Sequence, residues 1–506
     1  MVQKNLELEL KITGPTAVVS AIPGGPLMAA LAPGKGHWSR LESTYFDTPD
    51  QALKTAGIAL RDRTEQGKRT QTVKTGAGLA RHEWETPLDK EATIPAPSND
   101  TAIDDLLASY ADRLKPTMMF SVDRWAANVH FKNAEIEIAI DLGSADIAIG
   151  EGGHGQRRWH QEPVAMIELE LISGAPEALF SMAKLFLCDK ALRLDTQSKK
   201  DAASAAARGQ KFAIEKRKKL TASQHHTAGE VISRALVANA ERIIALQAPI
   251  VDARLPAGVH QMRVELRRLR AIERACRRAL PGSSLRRLTD QARLFSKVIG
   301  TARDWDVFLD ETLPQAAAHD YAEAGFDRLR QQAQSCRAQA WADTLMITAS
   351  DEFKSFALDL LAAAHKTPAL DVTAHAFSRK TLERALRKTK QTAAQIDLTD
   401  PGARHPLRIA LKKLRYGVQI FRDLYPKETR KPYMTAMSAL QDSFGEMNDA
   451  VVAQELASRA AAMGGDQAMR AAGFVTGFYA ARADAAALDV DAAWTDFERQ
   501  PPFWRE

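Results

Sequence analysis

Residues Leu6 to Ile12 alternate strictly between aliphatic and charged: Leu-Glu-Leu-Glu-Leu-Lys-Ile. In an extended strand, successive side chains point to opposite faces. Glu7, Glu9 and Lys11 therefore share one face, and four aliphatic residues share the other. Two carboxylates roughly 7 Å apart, beside an ammonium, can hold a divalent cation together with an anion that it neutralises. A half-buried strand with solvated charges would show the same alternation.

Repetition of the device favours the first reading. Glu135, Glu137 and Asp141 share a face opposite three isoleucines, and Ile167-Glu168-Leu169-Glu170-Leu171 doubles its acids again. Bases group in the same way: Arg61 with Arg63 on one segment, Lys74 on the next, and Arg81 beside Glu83 and Glu85. A solvated sheet has no need to double acids on some strands and bases on others. A closed barrel accounts for it, with charges inside and apolar faces packed outward on helices. Glu7, Glu9, Glu168 and Glu170 are then the first metal candidates. Glu83, Glu85, Glu135, Glu137 and Asp141 are either further ligands or partners of the arginines. Lys11, Arg61, Arg63, Lys74 and Arg124 are phosphate candidates, since guanidinium forks suit phosphate oxygens and ammonium acts as a point charge. Tyr45 and Trp84 read as structural.

The ordered series of motifs resembles the CYTH family of triphosphate tunnel metalloenzymes over about residues 1–205. The series is Glu7-x-Glu9-x-Lys11, Tyr45-Phe46-Asp47-Thr48, Arg61-x-Arg63, Lys74, Arg81-x-Glu83-x-Glu85, Arg124, Glu135-x-Glu137, Glu168-x-Glu170 and Ser198-Lys199. The resemblance implies an eight-stranded antiparallel barrel that binds a triphosphate and Mg²⁺ or Mn²⁺. It implies catalytic roles for Glu7, Glu9, Lys11 and Lys74. It implies substrate contacts from Lys11, Arg61, Arg63, Lys74, Arg81, Arg124 and Lys199, and metal contacts from Glu7, Glu9, Glu137, Asp141, Glu168 and Glu170.

The second half has a different character. From about residue 222, Ala-, Leu- and Arg-rich segments carry a 3.6-residue periodicity and few strand signals. Residues 206–221 read as a linker. Charge divides too: residues 1–205 hold 23 Lys and Arg against 28 Asp and Glu, and the remainder 46 against 35. A basic half points to a polyanionic partner, or to nothing beyond solubility.

This half also repeats itself. His260-x-x-Arg263-x-x-Leu266-Arg267 matches His405-x-x-Arg408-x-x-Leu411-Lys412, and Gly300-x-x-Arg303-Asp304 matches Gly445-x-x-Asn448-Asp449. Both pairs are offset by 145 residues (405 − 260 and 445 − 300). On a helix, His260, Arg263, Arg267, Arg270 and Arg274 fall in a stripe roughly 80° wide. Met262, Leu266 and Leu269 lie beside it, facing a core. His405, Arg408, Lys412 and Arg415 repeat the stripe. Like charges three and four residues apart repel, and a bound polyanion would relieve them. The histidines could bond phosphate or simply pack.

These motifs resemble the CHAD domain over about 225–500. The resemblance implies two four-helix bundles that bind inorganic polyphosphate along basic surfaces, with Arg303 contributing. It casts the Gly-x-x-Arg-Asp segments as turns. The whole reads as an α+β two-domain chain, with an N-terminal antiparallel β-barrel tunnel (1–205) and an all-α domain of two duplicated bundles (222–506). The expected activity is metal-dependent hydrolysis of inorganic triphosphate. Other CYTH activities, on thiamine or nucleoside triphosphates or as an adenylyl cyclase, and a non-catalytic polyphosphate binder, are the alternatives. Nucleic acid is disfavoured as a partner, because the basic helices lack interleaved aromatics. Three scattered cysteines give no disulfide framework and fit a reducing cytoplasm, and no run is long and apolar enough to span a membrane.

Overall fold

The computed structural model describes the chain except for residues 1–5, 76–79, 90, 93, 98–99, 152–156, 216, 218–224, 320–324, 367, 397–403 and 506, and except for the side chains of Leu6, Glu7, Ala80, Arg81, Glu151 and Arg157. The expected hairpin tip at Gly152–Gly155 and the Glu7 and Arg81 side chains thus lie outside the described residues. The chain forms two compact units: Met1–Ile214 with Ser350–Ala362, and Glu215–Ala349 with Ala363–Glu506. The first is built on an antiparallel sheet and the second on helices.

Nine strands make the sheet: β1 (Leu6–Thr13), β2 (His37–Asp47), β3 (Ile58–Glu65), β4 (Lys68–Thr75), β5 (Ala80–Leu88), β6 (Lys115–Phe131), β7 (Ala134–Glu151), β8 (Arg157–Ser173) and β9 (Arg193–Asp195). Their order is β5-β4-β3-β2-β6-β7-β8-β1-β9, and β1 also pairs with β5. Eight strands therefore close on themselves, and closure removes free edges. The opening strand is the keystone. One of its edges bonds β8 from Glu9 to Thr13; the other bonds β5 at Leu6–Leu8 and β9 at Lys11–Thr13. Lys132 and Asn133, both left-handed at φ 46° and 60°, turn β6 tightly into β7.

The alternation sorts as expected on the outside of the barrel. Leu10, Ile12, Leu60, Val73, Ile136, Ile138, Ile140, Ile167 and Leu169 are buried there. Each such burial contributes about 1.5–3 kcal/mol. Part of the cover is the helix Pro176–Leu187, which buries Leu179, Met182, Ala183 and Phe186. The inside departs from the expectation of a wholly charged lumen. Leu41, Met118, Phe120, Val122, Ala145, Ile147 and Val164 face inward and form an apolar cluster at one end. Ala203 packs among them. It belongs to the helix Lys199–Ala207, capped by the Ser198 hydroxyl. The Ala-rich run that leads into the expected linker is a helix whose small side chains fit against this cluster.

Ser350–Ala362 joins the first unit, although it lies far along the helical part of the chain. Lys354 is buried and donates to the carbonyls of Leu187, Asp189 and Lys190 at 3.3, 2.9 and 3.3 Å. These orphan carbonyls follow the helix Pro176–Leu187, where a cation is favourable.

In the second unit, the helices carrying the repeated motif are Pro256–Cys276 and His405–Phe421, here the His260 and His405 helices. Both have proline in the first turn, where its missing N–H costs nothing. Met262, Leu266 and Leu269 are buried on one, and Leu407, Leu411 and Leu414 on the other. Gly300 and Gly445 are not in turns. They lie within the helices Leu285–Val307 and Lys427–Ala461. The guanidinium of Arg263 lies against Gly300 and donates to its carbonyl at 3.2 Å. Among the described residues, no helix is long and apolar enough to cross a membrane.

Candidate functional site: the charged barrel interior and a basic helix pair

Strand register sets the inner wall. Glu9 stands opposite Glu170, and Glu170 opposite Glu137, giving a row of carboxylates across β1, β8 and β7. One step along, Lys11 stands opposite Glu168. Glu7 stands opposite Arg81 at the closing seam, by backbone register. Across the barrel, Tyr45 is opposite Arg61 and Ser43 opposite Arg63, and the wall continues to Thr72, Lys74, Glu83 and Glu85.

Of the six carboxylates expected to bind metal, Glu7 has its side chain outside the described residues, and the other five divide into two groups. Asp141 and Glu168 are taken by bases. Arg124 donates to both oxygens of Asp141 at 2.7 and 2.8 Å and to Glu168 at 3.0 Å. Lys199 contacts Asp141 and donates to Glu168 at 2.8 Å. Burial alone would raise both carboxyls, but Lys199 and Arg124 hold Asp141 below, and Glu168 well below, the usual range. Burial likewise opposes the charge on Arg124, yet Asp141 and Glu168 hold its pKa well above the ordinary value. The second group is the row Glu9, Glu170 and Glu137. Its hard oxygen donors, on three adjacent strands, suit a divalent cation. Glu9 is drawn to Lys11, and among the described residues no three acid, Cys or His side chains converge on one point. Binding a cation there requires rotamer changes along the row.

The opposite wall is short of anions. Lys74 pairs with Glu83 at 3.1 Å, and Arg61 reaches the same carboxylate only at 3.8 Å while donating to Thr72 at 3.0 Å. The Nε atoms of Arg61 and Arg63 and the hydroxyl of Ser43 are buried with no hydrogen-bond partner. Burial, then Arg61 and Arg124, bring the Arg63 pKa down to about 10. Burial would raise the Tyr45 phenol, but Arg61, Lys199, Lys74 and Arg63 lower it below its ordinary value. Buried polar atoms are nearly always satisfied in folded proteins. Three unsatisfied atoms on adjacent positions of β2 and β3, in a field that stabilises anions, mark a seat for an anion. Ser43 was missed in sequence and Tyr45 read as structural. The available signal was parity: both share the inward face of β2 with Leu41.

In the helical unit, the two stripes meet. Arg267 lies close enough to Arg408 and Lys412 to lower the pKa of each. Burial, then Arg408, Arg267 and Arg415, bring Lys412 down to about 8. His260 is lowered by burial and then by Arg303, Arg263 and Arg267. The repeated aspartates have a role too. Asp304 accepts from Arg263 at 2.6 Å, and Asp449 is the favourable charge beside Arg408. Arg415 bonds Gln441. Arg270 and Arg274 extend the positive surface towards Arg293. His405 is exposed in the first turn of its helix.

The CYTH domain family matches residues 26–208 and the CHAD domain family residues 234–458. The inorganic triphosphatase of Haemophilus influenzae is 30% identical over 165 residues, which are 31% of this chain and 44% of that relative. The match thus spans less than half of the relative's length. Among solved structures, the CHAD domain from the plant Ricinus communis is 28% identical, covering 57% of this chain and 99% of its own, with a TM-score of 0.49. HpAC1 from Hippeastrum, described as revealing a dominant triphosphatase activity, is 17% identical, covering 40% of this chain and 96% of its own, with a TM-score of 0.28. In this chain, therefore, a CYTH domain is followed by a CHAD domain.

Proposed function

We propose that the barrel hydrolyses inorganic triphosphate and that the paired basic helices bind inorganic polyphosphate. The observation that carries the first part is the unsatisfied patch of Ser43, Arg61 and Arg63 inside a closed, charged barrel. A triphosphate laid along this wall would meet Arg61, Arg63 and Lys74 on one side and Lys11, Arg124 and Lys199 on the other. The guanidiniums would orient its oxygens in pairs and hold the terminal phosphorus open to water. As the bridging P–O bond breaks and the new P–O bond forms, charge moves onto the leaving diphosphate, and these fixed cations stabilise it. A divalent cation, Mg²⁺ or Mn²⁺, held by Glu9, Glu137 and Glu170, with Glu7 on the same strand face, would supply charge neutralisation and acidify water when bound. Asp141 and Glu168 act here as positioning residues for Arg124 and Lys199.

For the second part, the support is the meeting of the two stripes: Arg408, Arg267 and Arg415 surround Lys412, whose pKa is lowered by burial first and then by these cations. A polyanion would turn that repulsion into binding.

The test is phosphate release from tripolyphosphate, pyrophosphate, ATP and thiamine triphosphate, each with Mg²⁺ and with Mn²⁺. Preference for tripolyphosphate, lost in Arg61→Ala, is the expected result. Turnover of ATP or thiamine triphosphate at equal kcat/KM would refute the inorganic assignment.

A further inference from the structure

Two cavities occupy equivalent points in the helical unit. The first, of about 730 Å³, has Glu273, Arg277, Arg286, Arg287 and Asp290 in its lining. The second, of about 590 Å³, is lined by Arg422, Lys427, Arg430, Lys431, Met434 and Asp442 among others. Arg422 follows Arg277 by the repeat offset of 145, as Lys431 follows Arg286 and Thr435 follows Asp290. Each cavity opens where a motif helix ends, at Cys276 or Phe421, and the next helix begins, at Leu285 or Lys427.

Their charges have diverged. In the first cavity, buried Glu273 accepts from Arg277 Nε at 2.9 Å and from its Nη2 at 2.8 Å, so that arginine is neutralised. The residue at the repeat position of Glu273 is Val418, which is fully buried. Arg422 therefore lacks this partner: its Nε is buried without a hydrogen bond, and Asp423, shared with Arg430 at 3.2 Å, stays 3.7 Å away. The acid Asp290 is replaced by Thr435, and Gly282 by Lys427. The first cavity thus sets three bases against two acids, and the second four against one. Lys427 and Lys431 make no hydrogen bond or ion pair among the described residues.

We infer that the cavity around Arg422, Lys427 and Lys431 is a separate binding site for a compact triphosphate group, either free or carried by a nucleotide. Its volume lies in the range of small-molecule sites, roughly 300–1,000 Å³. Four bases against Asp442 leave the lining a net +3 (4 − 1), opposite in sign to the roughly four negative charges of a triphosphate in neutral water, and charge-assisted bonds to its oxygens would engage Arg422, Lys427 and Lys431. Met434 and Ala439 give the lining an apolar side against which a base could lie. The site is independent of the barrel reading and of the paired basic helices.

The test uses the full chain. Lysines are acylated briefly with and without ligand, and modification is read by peptide mass spectrometry. Tripolyphosphate should protect Lys427 and Lys431 about threefold or more while exposed Lys35 is unchanged. An ATP arm assigns the carrier: stronger protection by ATP than by tripolyphosphate identifies a nucleotide, and the reverse identifies the free anion. Thr435→Asp restores the acid of the first cavity at an exposed position. It should raise the tripolyphosphate concentration needed for half-maximal protection about tenfold and leave triphosphate hydrolysis in the barrel unchanged. Equal protection by sulfate at matched ionic strength, no protection by either triphosphate, or undiminished protection in Thr435→Asp would overturn the inference.

Discussion

Replacing Arg63 by Met keeps an unbranched side chain of similar reach and removes the guanidinium. In the barrel, Arg63 has a buried Nε without a partner, and its pKa is pulled down to about 10. That fall corresponds to roughly 3 kcal/mol by which the empty barrel disfavours the charge. Solvent screening, and the weak contacts that the guanidinium does make, reduce the net gain in Arg63→Met to about 1–2 kcal/mol. For a unit of some 200 residues this raises Tm by about 3–6 °C. Recognition should move the other way. Losing one charge-assisted contact to a phosphate costs about 1.5–3 kcal/mol, so kcat/KM for triphosphate should fall by about 10- to 150-fold. Differential scanning calorimetry and a phosphate-release assay on the same preparation measure both. A variant that melts lower and hydrolyses at the wild-type rate would refute the reasoning, because Arg63 would then be holding the wall together and not waiting for an anion.

Two further outcomes follow from the other ionic groups. Asp141→Asn leaves Arg124 and Lys199 facing one carboxylate in place of two, and should destabilise the first unit by about 3 kcal/mol in thermal melts, since breaking a buried pair leaves charge uncompensated. A melting temperature within 1 °C of wild type, on the order of 0.5 kcal/mol or less, would show the network to be dispensable. Lys412, with a pKa of about 8 in the fold against 10.5 unfolded, binds fewer protons folded than unfolded between those values. Stability of the second unit should therefore rise with pH across that window, and the rise should disappear in Lys412→Arg. Polyphosphate should restore the proton, so binding at about pH 8.5 should take up roughly one proton, measured by calorimetry in buffers of different ionisation enthalpy.

Part of the fold was legible in order along the chain. Strict alternation at Leu6–Ile12, Glu135–Asp141 and Ile167–Leu171 determines two-faced strands whichever partners they find, because side-chain direction in a strand has a period of two. The 3.6-residue spacing of Met262, Leu266 and Leu269 determines a helix face in the same way. Doubled charges on one strand face likewise announced a charged interior and named most of its wall.

Register and closure were not in the sequence. Which carboxylate meets which base depends on how the strands pair: Arg124 reaches Asp141, 17 residues away, and Glu168, 44 residues away. Only the pairing of β8 with both β1 and β7 puts Glu9, Glu170 and Glu137 in one row, and the pairing of β6 with β7 gives Asp141 to Arg124. Local pattern likewise missed the helix Lys199–Ala207, because alanine spacing carries no amphipathic signal until Phe120 and Ile147 provide a surface for Ala203. It missed the inclusion of Ser350–Ala362 in the first unit, since Lys354 finds its three carbonyls only through tertiary structure. The segments at Gly300 and Gly445, which the family resemblance casts as turns, lie inside helices. At 300, the backbone carbonyl accepts from a guanidinium of a neighbouring helix, and no one-dimensional pattern records that neighbour. Sequence by itself determined which face of each element is charged; the tertiary structure decided which charges meet, because pairing energy depends on distances that only closure of the barrel and packing of the helices establish.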